Sequence, residues 1–224
     1  MAYVLGYLYA DGSLEDASYI RGKYVRVSSA DKDRVESIRS ALCSSHTIVK
    51  EKVPPQSKPK YLLRIGSKDL YESLLRCGIT PRKSLTMQFP VIPTQFLGAF
   101  VRGYFDGDGS VVIDRYHGRP RRLLTVFTSG SKEFLMNLHA HLIELCGVTG
   151  GNVYAHGSTK GAYQLRYSTR DSLRLFLLMY PARMSHQFRL RRKYDIFTQY
   201  MKLRGMTRKD IPKVLDQKGP MVKW

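Results

Sequence analysis

The feature that most constrains the fold of this chain is an internal repeat. The segment YVLGYLYADGSL at residues 3–14 has a counterpart in FVRGYFDGDGSVV at residues 100–112, and superposing Asp11 on Asp108 gives an offset of 97 residues. In each copy, strand and helix patterns follow the repeated segment in the same order. Two such copies predict an α+β protein with two similar halves.

The join between the two copies is marked by prolines. The segment FPVIP at residues 89–93 interrupts the periodic pattern and is too short for anything but a tight linker. We therefore assign residues 1–90 to an N-terminal half, 91–95 to a short Pro-containing linker and 96–200 to a C-terminal half. Residues 201–224 are predicted to form a basic C-terminal tail, either an added helix or a flexible arm.

The charge balance indicates the class of partner. Lys and Arg number 37 against 18 Asp and Glu, which gives a net charge of +19 over 224 residues and predicts a polyanionic partner. The three cysteines form no CxxC pair, which argues against a disulfide framework or a zinc ribbon and favours a reducing, intracellular setting. No apolar run approaches the ~20 residues of a membrane span, and the N-terminus lacks a signal-peptide pattern. We expect neither a membrane partner nor secretion.

Small residues recur four apart in both copies of the repeated segment, as Gly6 with Ala10 and Gly103 with Gly107. Two helices with this spacing can bring their backbones unusually close, so we expect the halves to pack through these helices. Each segment ends in Asp-Gly. A glycine after a helix commonly adopts the left-handed conformation, which is the prediction for Gly12 and Gly109.

This placement puts Asp11 and Asp108 at the C-terminal ends of the two helices. A helix C-terminus carries partial negative charge and several carbonyl groups without intrahelical partners. If the two helices are parallel and in contact, two carboxylates and two sets of carbonyl oxygens converge on one spot. Such hard ligands suit magnesium, and metals spanned by carboxylates can activate water in phosphodiester cleavage.

The strand patterns of both halves alternate apolar residues with polar or basic ones. A sheet that packs one face on helices leaves its other face free, and two-stranded ribbons fit the DNA major groove. Side chains on that face would read base edges, contact phosphates or only keep the surface soluble, and these alternatives stay open. The predicted DNA-binding residues are Lys23, Arg26, Ser28, Lys50, Lys52, Arg64, Arg115, Arg119, Arg121, Arg122, Gln164, Arg166 and Ser168.

The two repeated segments resemble the signature of the LAGLIDADG homing endonucleases, specifically the single-chain type with two copies. The matching residues are VLGYLYADG at 4–12 and VRGYFDGDG at 101–109, and GITPRKS at 78–84 and RRKYDIF at 191–197 resemble later landmarks of that family. The resemblance covers most of residues 3 to 200. One departure is Tyr9, which stands where the signature has an acidic residue, matched in the second copy by Asp106.

The resemblance implies two pseudo-symmetric αββαββα halves that pack through the two signature helices, each with a curved antiparallel sheet that forms part of a DNA-binding saddle. It also implies a site-specific homing endonuclease that makes a magnesium-dependent double-strand break in a long DNA target by phosphodiester hydrolysis. Mn²⁺ is expected to substitute for Mg²⁺, and Ca²⁺ to support binding without cleavage. Because both halves share one chain, we expect a monomer.

The same resemblance assigns residues to the active site. Asp11 and Asp108 become the catalytic, metal-binding carboxylates, helped by the backbone carbonyls of Ala10 and Gly107. Lys83, 72 residues beyond Asp11, falls where the family places a basic residue beside the active site. Its second-half equivalent is less clear because the loop PARMSHQFRLRR is longer there. Lys193 is our assignment, with Arg192 as the alternative.

Two other functions are compatible with this sequence. One is an intron RNA-splicing maturase, since proteins of this family can serve the introns that encode them. The other is a sequence-specific DNA-binding regulator that uses the scaffold without cutting. The presence of both Asp11 and Asp108 favours the endonuclease over the regulator.

Overall fold

The computed structural model describes residues 1–17, 19, 22–52, 54, 56–57, 59–182, 184 and 188–216. Within these ranges the chain forms eight α-helices and two four-stranded antiparallel sheets. The order αββαββα occurs twice, and two further helices follow the second copy. This is the α+β architecture of two similar halves that the repeat predicts.

Corresponding elements of the two halves have similar lengths and order. The first half consists of α1 (Ala2–Asp11), β1 (Gly12–Ala17), β2 (Gly22–Ser29), α2 (Lys32–Ala41), β3 (Ile48–Glu51), β4 (Lys60–Gly66) and α3 (Lys68–Arg76). The second consists of α4 (Thr94–Asp108), β5 (Gly109–Tyr116), β6 (Arg119–Ser129), α5 (Lys132–Cys146), β7 (Asn152–Ala155), β8 (Tyr163–Tyr167) and α6 (Thr169–Met179), followed by α7 (Arg191–Leu203) and α8 (Ile211–Asp216). The strand orders are β1-β2-β4-β3 and β5-β6-β8-β7, so the two sheets have the same topology.

Each sheet packs one face against helices because its apolar residues alternate. In β2, Val25 and Val27 are buried, while the residues between and beside them are only partly covered. The following helices begin at polar residues in both halves. The Ser67 hydroxyl accepts a hydrogen bond from the Leu70 amide, and the Ser131 hydroxyl accepts one from the Phe134 amide, which satisfies amides that a helix start leaves unpaired.

A single hydrophobic core spans both halves, and α1 and α4 lie at its centre. Buried aromatic rings dominate it, including Tyr7 on α1 and Phe100, Tyr104 and Phe105 on α4. Because α1 and α4 each carry a repeated Asp-Gly segment, this core fixes the two halves around the aspartates.

The ends of several elements differ from the boundaries predicted for the halves. Helix α4 already begins at Thr94, inside the predicted linker, and α7 continues to Leu203, past the predicted end of the second half. Part of the predicted tail is folded: α8 packs on the protein through the buried Ile211. Residues 217–224 of that tail lie outside the described residues.

The predicted left-handed conformation of Gly12 and Gly109 is wrong. Both glycines are extended, with φ near −90° (−86° and −92°), because each helix passes directly into a strand without an intervening turn. Glycine is needed there for a different reason. A Cβ atom on Gly12 would lie 2.6 Å from the Leu8 carbonyl oxygen, and one on Gly109 would lie 2.5 Å from that of Phe105.

In the described part of the chain, no helix is both long and apolar enough to cross a membrane. Cys43, Cys77 and Cys146 are all free thiols.

Candidate active site and nucleic-acid interface

The two repeated helices meet at their glycines. A Cβ atom added to Gly6 would lie 2.0 Å from the Phe100 carbonyl oxygen, and one added to Gly103 would lie 2.0 Å from the Tyr3 carbonyl oxygen. Real Cβ atoms do not approach oxygen so closely, so α1 and α4 touch backbone to backbone. This is the close contact predicted from the small-residue spacing.

The helices run in the same direction, so their C-terminal ends converge. A Cβ atom on Gly107 would lie 2.3 Å from the Ala10 Cβ atom and 3.3 Å from the Asp11 Oδ2 atom. The Asp11 carboxylate therefore lies against the last turn of the opposite helix, next to the residue that precedes Asp108. Asp11 is half-buried, and Asp108 is exposed.

Both carboxylates have pKa values above the ordinary range for Asp. Loss of hydration in the protein raises the pKa of Asp108 to about 6, and the nearby Asp11 carboxylate adds to the rise. Burial also raises the pKa of Asp11, although a hydrogen bond from the Tyr7 hydroxyl and the positive charges of Lys193 and Lys83 oppose this effect. Two carboxylates close together, partly removed from water, make a site that a cation would stabilise.

Two buried lysines flank the carboxylates, one from each half. The Lys83 Nζ atom donates to the carbonyl oxygens of Gly12 at 2.5 Å and Ala10 at 3.5 Å. The Lys193 Nζ atom donates to the equivalent oxygens of Gly109 at 2.5 Å and Gly107 at 3.4 Å, and also to those of Phe105 and Asp106. Each lysine therefore satisfies carbonyl groups at the end of its own half's helix.

These contacts place Lys193, and not Arg192, in the position equivalent to Lys83. Arg192 is exposed, and its guanidinium pairs with Asp31 at 3.4 Å. Burial lowers the pKa of Lys193 to about 8 and lowers that of Lys83, against the raising effect of nearby carboxylates. Residues 183 and 185–187 of the loop that precedes Lys193 lie outside the described part of the chain.

The donor set at the helix ends fits a divalent cation such as magnesium. No group of three or more His, Cys, Asp or Glu side chains in the described ranges could hold a metal ion, so backbone oxygens would have to complete a site built on Asp11 and Asp108. The carbonyl oxygens of Ala10 and Gly107 receive only long contacts from the lysines, which leaves them able to act as ligands. Carboxylate and carbonyl oxygens are the ligands that hard divalent cations prefer.

Only part of the predicted DNA-binding set lies on the free face of the first sheet. Arg26 and Arg64 are opposite one another there, with Ser28 two residues further along β2. Lys23, in contrast, lies an even number of residues from the buried Val25 and Val27, so its side chain is on their face of the sheet. Its Nζ atom lies over the Tyr71 ring of α3, 4.9 Å from the ring centroid. The position predicted for Lys23 is therefore wrong, because the alternation must be counted from the buried valines.

The register and the end of β3 (Ile48–Glu51) change two further assignments. Lys50 pairs with Tyr61 and shares the parity of Ile48, which packs on the core, so Lys50 extends from the helix side of the sheet edge. Lys52 lies beyond the end of β3. Both are exposed, but neither belongs to the free face.

The second sheet presents more positive charge. Gln164, Arg166 and Arg122 lie on its free face, where Arg166 is paired with Val126 and Arg122 with Asp114. Arg115, Arg119 and Arg121 surround the exposed end of the β5–β6 hairpin, which turns at His117 and Gly118 with positive φ at both. Ser168 lies past β8, at the N-cap of α6.

The prediction considered mainly basic side chains and missed five other residues on these faces: Glu15, Tyr24, Glu51, Asn152 and Tyr154. Glu15 forms a two-point ion pair with Arg64, at 2.8 and 3.2 Å, and the Arg64 guanidinium stacks over the Tyr24 ring at 3.5 Å. Glu51 accepts a hydrogen bond from Ser28 and lies 3.9 Å from Arg26. On the second sheet, Asn152 and Tyr154 face the same side as Arg166 and Gln164. Counting strand parity from the buried residues would have identified all of them.

Sequence comparison identifies one domain. The family model of the LAGLIDADG-like domain matches residues 95–179, a range that includes all of α4 but its first residue, the second sheet, α5 and α6. No curated protein matches this chain in sequence.

Solved structures resemble nearly the whole chain. I-DmoI in complex with DNA and Mn is 20% identical, with a TM-score of 0.56 over 82% of this chain and 97% of that one. The meganuclease I-SmaMI bound to uncleavable DNA is 11% identical, with a TM-score of 0.56 over 95% of both chains. The N-terminal LAGLIDADG domain of DUF199/WhiA is 16% identical, with a TM-score of 0.56 over 83% of both. At these identities the similarity establishes the fold.

Proposed function

Since this chain contains a LAGLIDADG-like domain and has the two-domain fold of the single-chain homing endonucleases, we propose that it is a site-specific DNA endonuclease. Its substrate is a long double-stranded DNA target, and the reaction is phosphodiester hydrolysis in both strands. The cofactor is a divalent cation, with Mg²⁺ the proposed physiological ion.

One observation carries this proposal: two aspartates and two buried lysines meet at the joined ends of α1 and α4. A role in folding alone gives no reason to place Asp11 beside the end of the opposite helix. Burial raises the pKa of both carboxylates there, and the nearby Asp11 charge raises that of Asp108 further. Charge crowding of this kind is typical of functional sites.

The residues suited to hold the cation are Asp11 and Asp108, with the carbonyl groups of Ala10 and Gly107. A bound divalent cation would stabilise negative charge on the phosphate and leaving oxygens and lower the pKa of a bound water. The two carboxylates must be ionised to serve as ligands. The positive charges of Lys83 and Lys193 favour that ionised state, since they lower the pKa values of both aspartates.

The two lysines provide positive charge that does not depend on the cation. Lys193 holds its proton at Nζ at pH values below about 8, and its four carbonyl contacts fix the ammonium group in position. An ammonium group held in a site of low hydration effectively stabilises the negative charge that develops on a phosphate. We assign Lys83 and Lys193 this role, one in each half.

The main competing proposal is a DNA-binding protein that does not cut. The observation in its favour is the match to the LAGLIDADG domain of DUF199/WhiA, a protein that is not named as an endonuclease. Both aspartates and both lysines are present here, which supports cleavage. The comparisons give no support to the RNA-splicing alternative.

The proposal is tested by selecting bound duplexes from a randomised library in calcium and then transferring the selected duplexes to magnesium. We expect a long consensus that is cut in magnesium and remains intact in calcium or EDTA. Tight, sequence-specific binding without cutting in magnesium or manganese would overturn the nuclease and favour the non-cleaving protein. Selection of no duplex consensus would contradict both.

A further inference from the structure

The two halves differ at one signature position, which is Tyr9 in the first half and Asp106 in the second. Each of these side chains makes a hydrogen bond that the proposed cation site does not explain. Both side chains are buried, with 1% and 2% of their surface exposed. Neither supplies a cation ligand in the proposed site. Both, however, bind the backbone of a segment that leads to an active-site lysine.

Asp106 binds the start of α7. Its Oδ2 atom accepts a hydrogen bond from the Leu190 amide at 2.9 Å and another from the Tyr3 hydroxyl at 2.7 Å. Leu190 is the N-cap of α7, so its amide is one of those that no helical partner satisfies. The carboxylate therefore fixes the residue at which α7 begins and connects it to both α4 and α1.

The first turn of α7 carries Lys193. The Lys193 amide donates to the Leu190 carbonyl at 3.1 Å, and the Lys193 Nζ atom donates to the Asp106 carbonyl at 2.9 Å. Asp106 thus binds both ends of one short connection: its side chain holds Leu190 and its backbone receives the lysine amine. A shift of the α7 N-terminus would move Lys193 with it.

Tyr9 makes the corresponding contact in the first half with opposite hydrogen-bond polarity. Its hydroxyl donates to the Cys77 carbonyl at 2.6 Å. Cys77 is the C-cap of α3, and the chain runs from it through the buried Ile79 to Lys83. Gly78 has φ +87°, and a Cβ atom there would lie 2.6 Å from the Tyr9 hydroxyl oxygen, so the ring fits closely under this segment.

We propose that Tyr9 and Asp106 are paired positioning residues, each of which holds the lysine of its own half against its signature helix. This inference rests on the proposed nuclease function and adds to it a division of labour: Tyr9 serves Lys83, and Asp106 serves Lys193. The same position needs a donor in one half and an acceptor in the other, because the segments present a carbonyl and an amide respectively.

A purely structural role accounts poorly for Asp106. An apolar side chain would fill this buried space without the cost of removing a carboxylate from water. The Oδ1 atom of Asp106 has no hydrogen-bond partner among the described residues, so only one of the two carboxylate oxygens is hydrogen-bonded. The other oxygen, Oδ2, accepts from the Tyr3 hydroxyl and from the Leu190 amide, and the second of these contacts fixes Leu190.

The experiment measures the cutting rate of each strand separately on the selected duplex. Asp106→Ala should slow one strand by about 10- to 100-fold, as expected for a misplaced catalytic group, and it should be the strand that Lys193→Met slows. Asp106→Asn keeps an oxygen acceptor, so it should cut that strand at a rate within about threefold of wild type. Tyr9→Phe should slow the other strand, the one that Lys83→Met slows, by a smaller factor, since five residues lie between Cys77 and Lys83.

Combining variants separates positioning from general damage. Adding Asp106→Ala to Lys193→Met should cause no further loss on the affected strand, because residues that act as a unit are not additive. Tyr167→Phe is the matched control: it removes a buried hydroxyl that contacts His139 at 2.8 Å, and it should leave the ratio of the two strand rates unchanged. Equal slowing of both strands by Asp106→Ala, or additive losses in the double variant, would overturn the proposal.

A second readout does not depend on cutting. Hydrogen exchange at the Leu190 and Lys193 amides should accelerate in Asp106→Ala and remain near the wild-type rate in Asp106→Asn. If the wild-type protein cuts neither strand, the nuclease function fails while the exchange result still decides whether Asp106 holds α7. Unchanged exchange in Asp106→Ala would show that Asp106 does not hold the start of α7, even if the enzyme is active.

Discussion

Asp108 is the residue at which the metal-free protein bears an electrostatic cost. Its pKa rises from an ordinary value of 3.8 to about 6, because hydration is lost and Asp11 is near. A raised carboxyl pKa means that the folded state disfavours the ionised form. The contribution of this group to stability is therefore complete below pH 3.8 and is lost as the pH rises through about 6.

Asp108→Asn should accordingly stabilise the metal-free protein at pH 8 and have little effect at pH 4. Because Asp108 is exposed and solvent screens its charge, we expect only about 1 kcal/mol, or about 2–4 °C in melting temperature. Thermal unfolding in EDTA at the two pH values measures this. Asp195→Asn, at an exposed position on α7, is the control. A lower melting temperature for Asp108→Asn at pH 8 would contradict the account.

At the residue scale, the positions that a motif marks could be predicted from the sequence. Asp11, Asp108 and Lys83 lie together as predicted, since two of them end repeated helices and the third lies within a family landmark. The choice between Lys193 and Arg192 required the start of α7, which an irregular loop of altered length hides from sequence. The position of Lys23 was missed for another reason: a basic residue at the end of a strand suits either face.

The contact between α1 and α4 is the element-scale feature on which the site depends. Gly103→Ala would place a Cβ atom 2.0 Å from the Tyr3 carbonyl oxygen, and neither helix backbone can move aside locally. We expect a loss of more than about 3 kcal/mol in unfolding free energy, at or beyond the usual range for overpacking. Gly157→Ala, where a Cβ atom meets nothing within 4 Å, should be nearly neutral. Denaturant unfolding compares them, and similar stabilities would refute the close contact.

Helix endings show what sequence alone could not decide. An Asp-Gly pair after an apolar run fits a left-handed cap and also a direct passage into a strand. The strands β1 and β5 begin at the glycines themselves, and only the three-dimensional collision with Leu8 or Phe105 explains why no Cβ atom is tolerated. The αββαββα order, in contrast, was predictable because its period-two and helical patterns are clear in both copies.

The two sheets differ in charge, which predicts an uneven contribution to DNA binding. On the first sheet, Glu15 and Glu51 offset Arg26 and Arg64, whereas arginines predominate around the β5–β6 hairpin. Arg121→Ala should therefore reduce the slope of log affinity against log salt by about 0.9, the value of one phosphate contact.

Arg64→Ala provides the matched comparison on the first sheet. It should change the salt slope less than Arg121→Ala, since Glu15 already neutralises Arg64. Glu15→Gln should increase the slope by freeing that arginine. Binding titrations at several salt concentrations measure these effects, and equal slopes for Arg64→Ala and Arg121→Ala would contradict the predicted division between the sheets.

At the scale of the whole molecule, two unlike sheets in one chain predict a monomer with an asymmetric target. The free faces present different side chains, so palindromic duplexes built from either half of the selected target should bind more weakly than the target itself. Sedimentation with the target should show one chain per duplex. Two chains per duplex, or equal affinity for a palindrome, would contradict this arrangement.

If Asp11 and Asp108 at the joined helix ends perform cleavage, replacing both should abolish cutting and leave DNA binding intact. The double variant Asp11→Asn, Asp108→Asn is compared with wild type on the selected duplex, with binding measured in calcium and cutting in magnesium. We expect affinity within about threefold of wild type and a loss of cleavage of at least about 1000-fold, since only the proposed cation ligands change. A double variant that binds and still cuts at the wild-type rate would contradict this role of the aspartates.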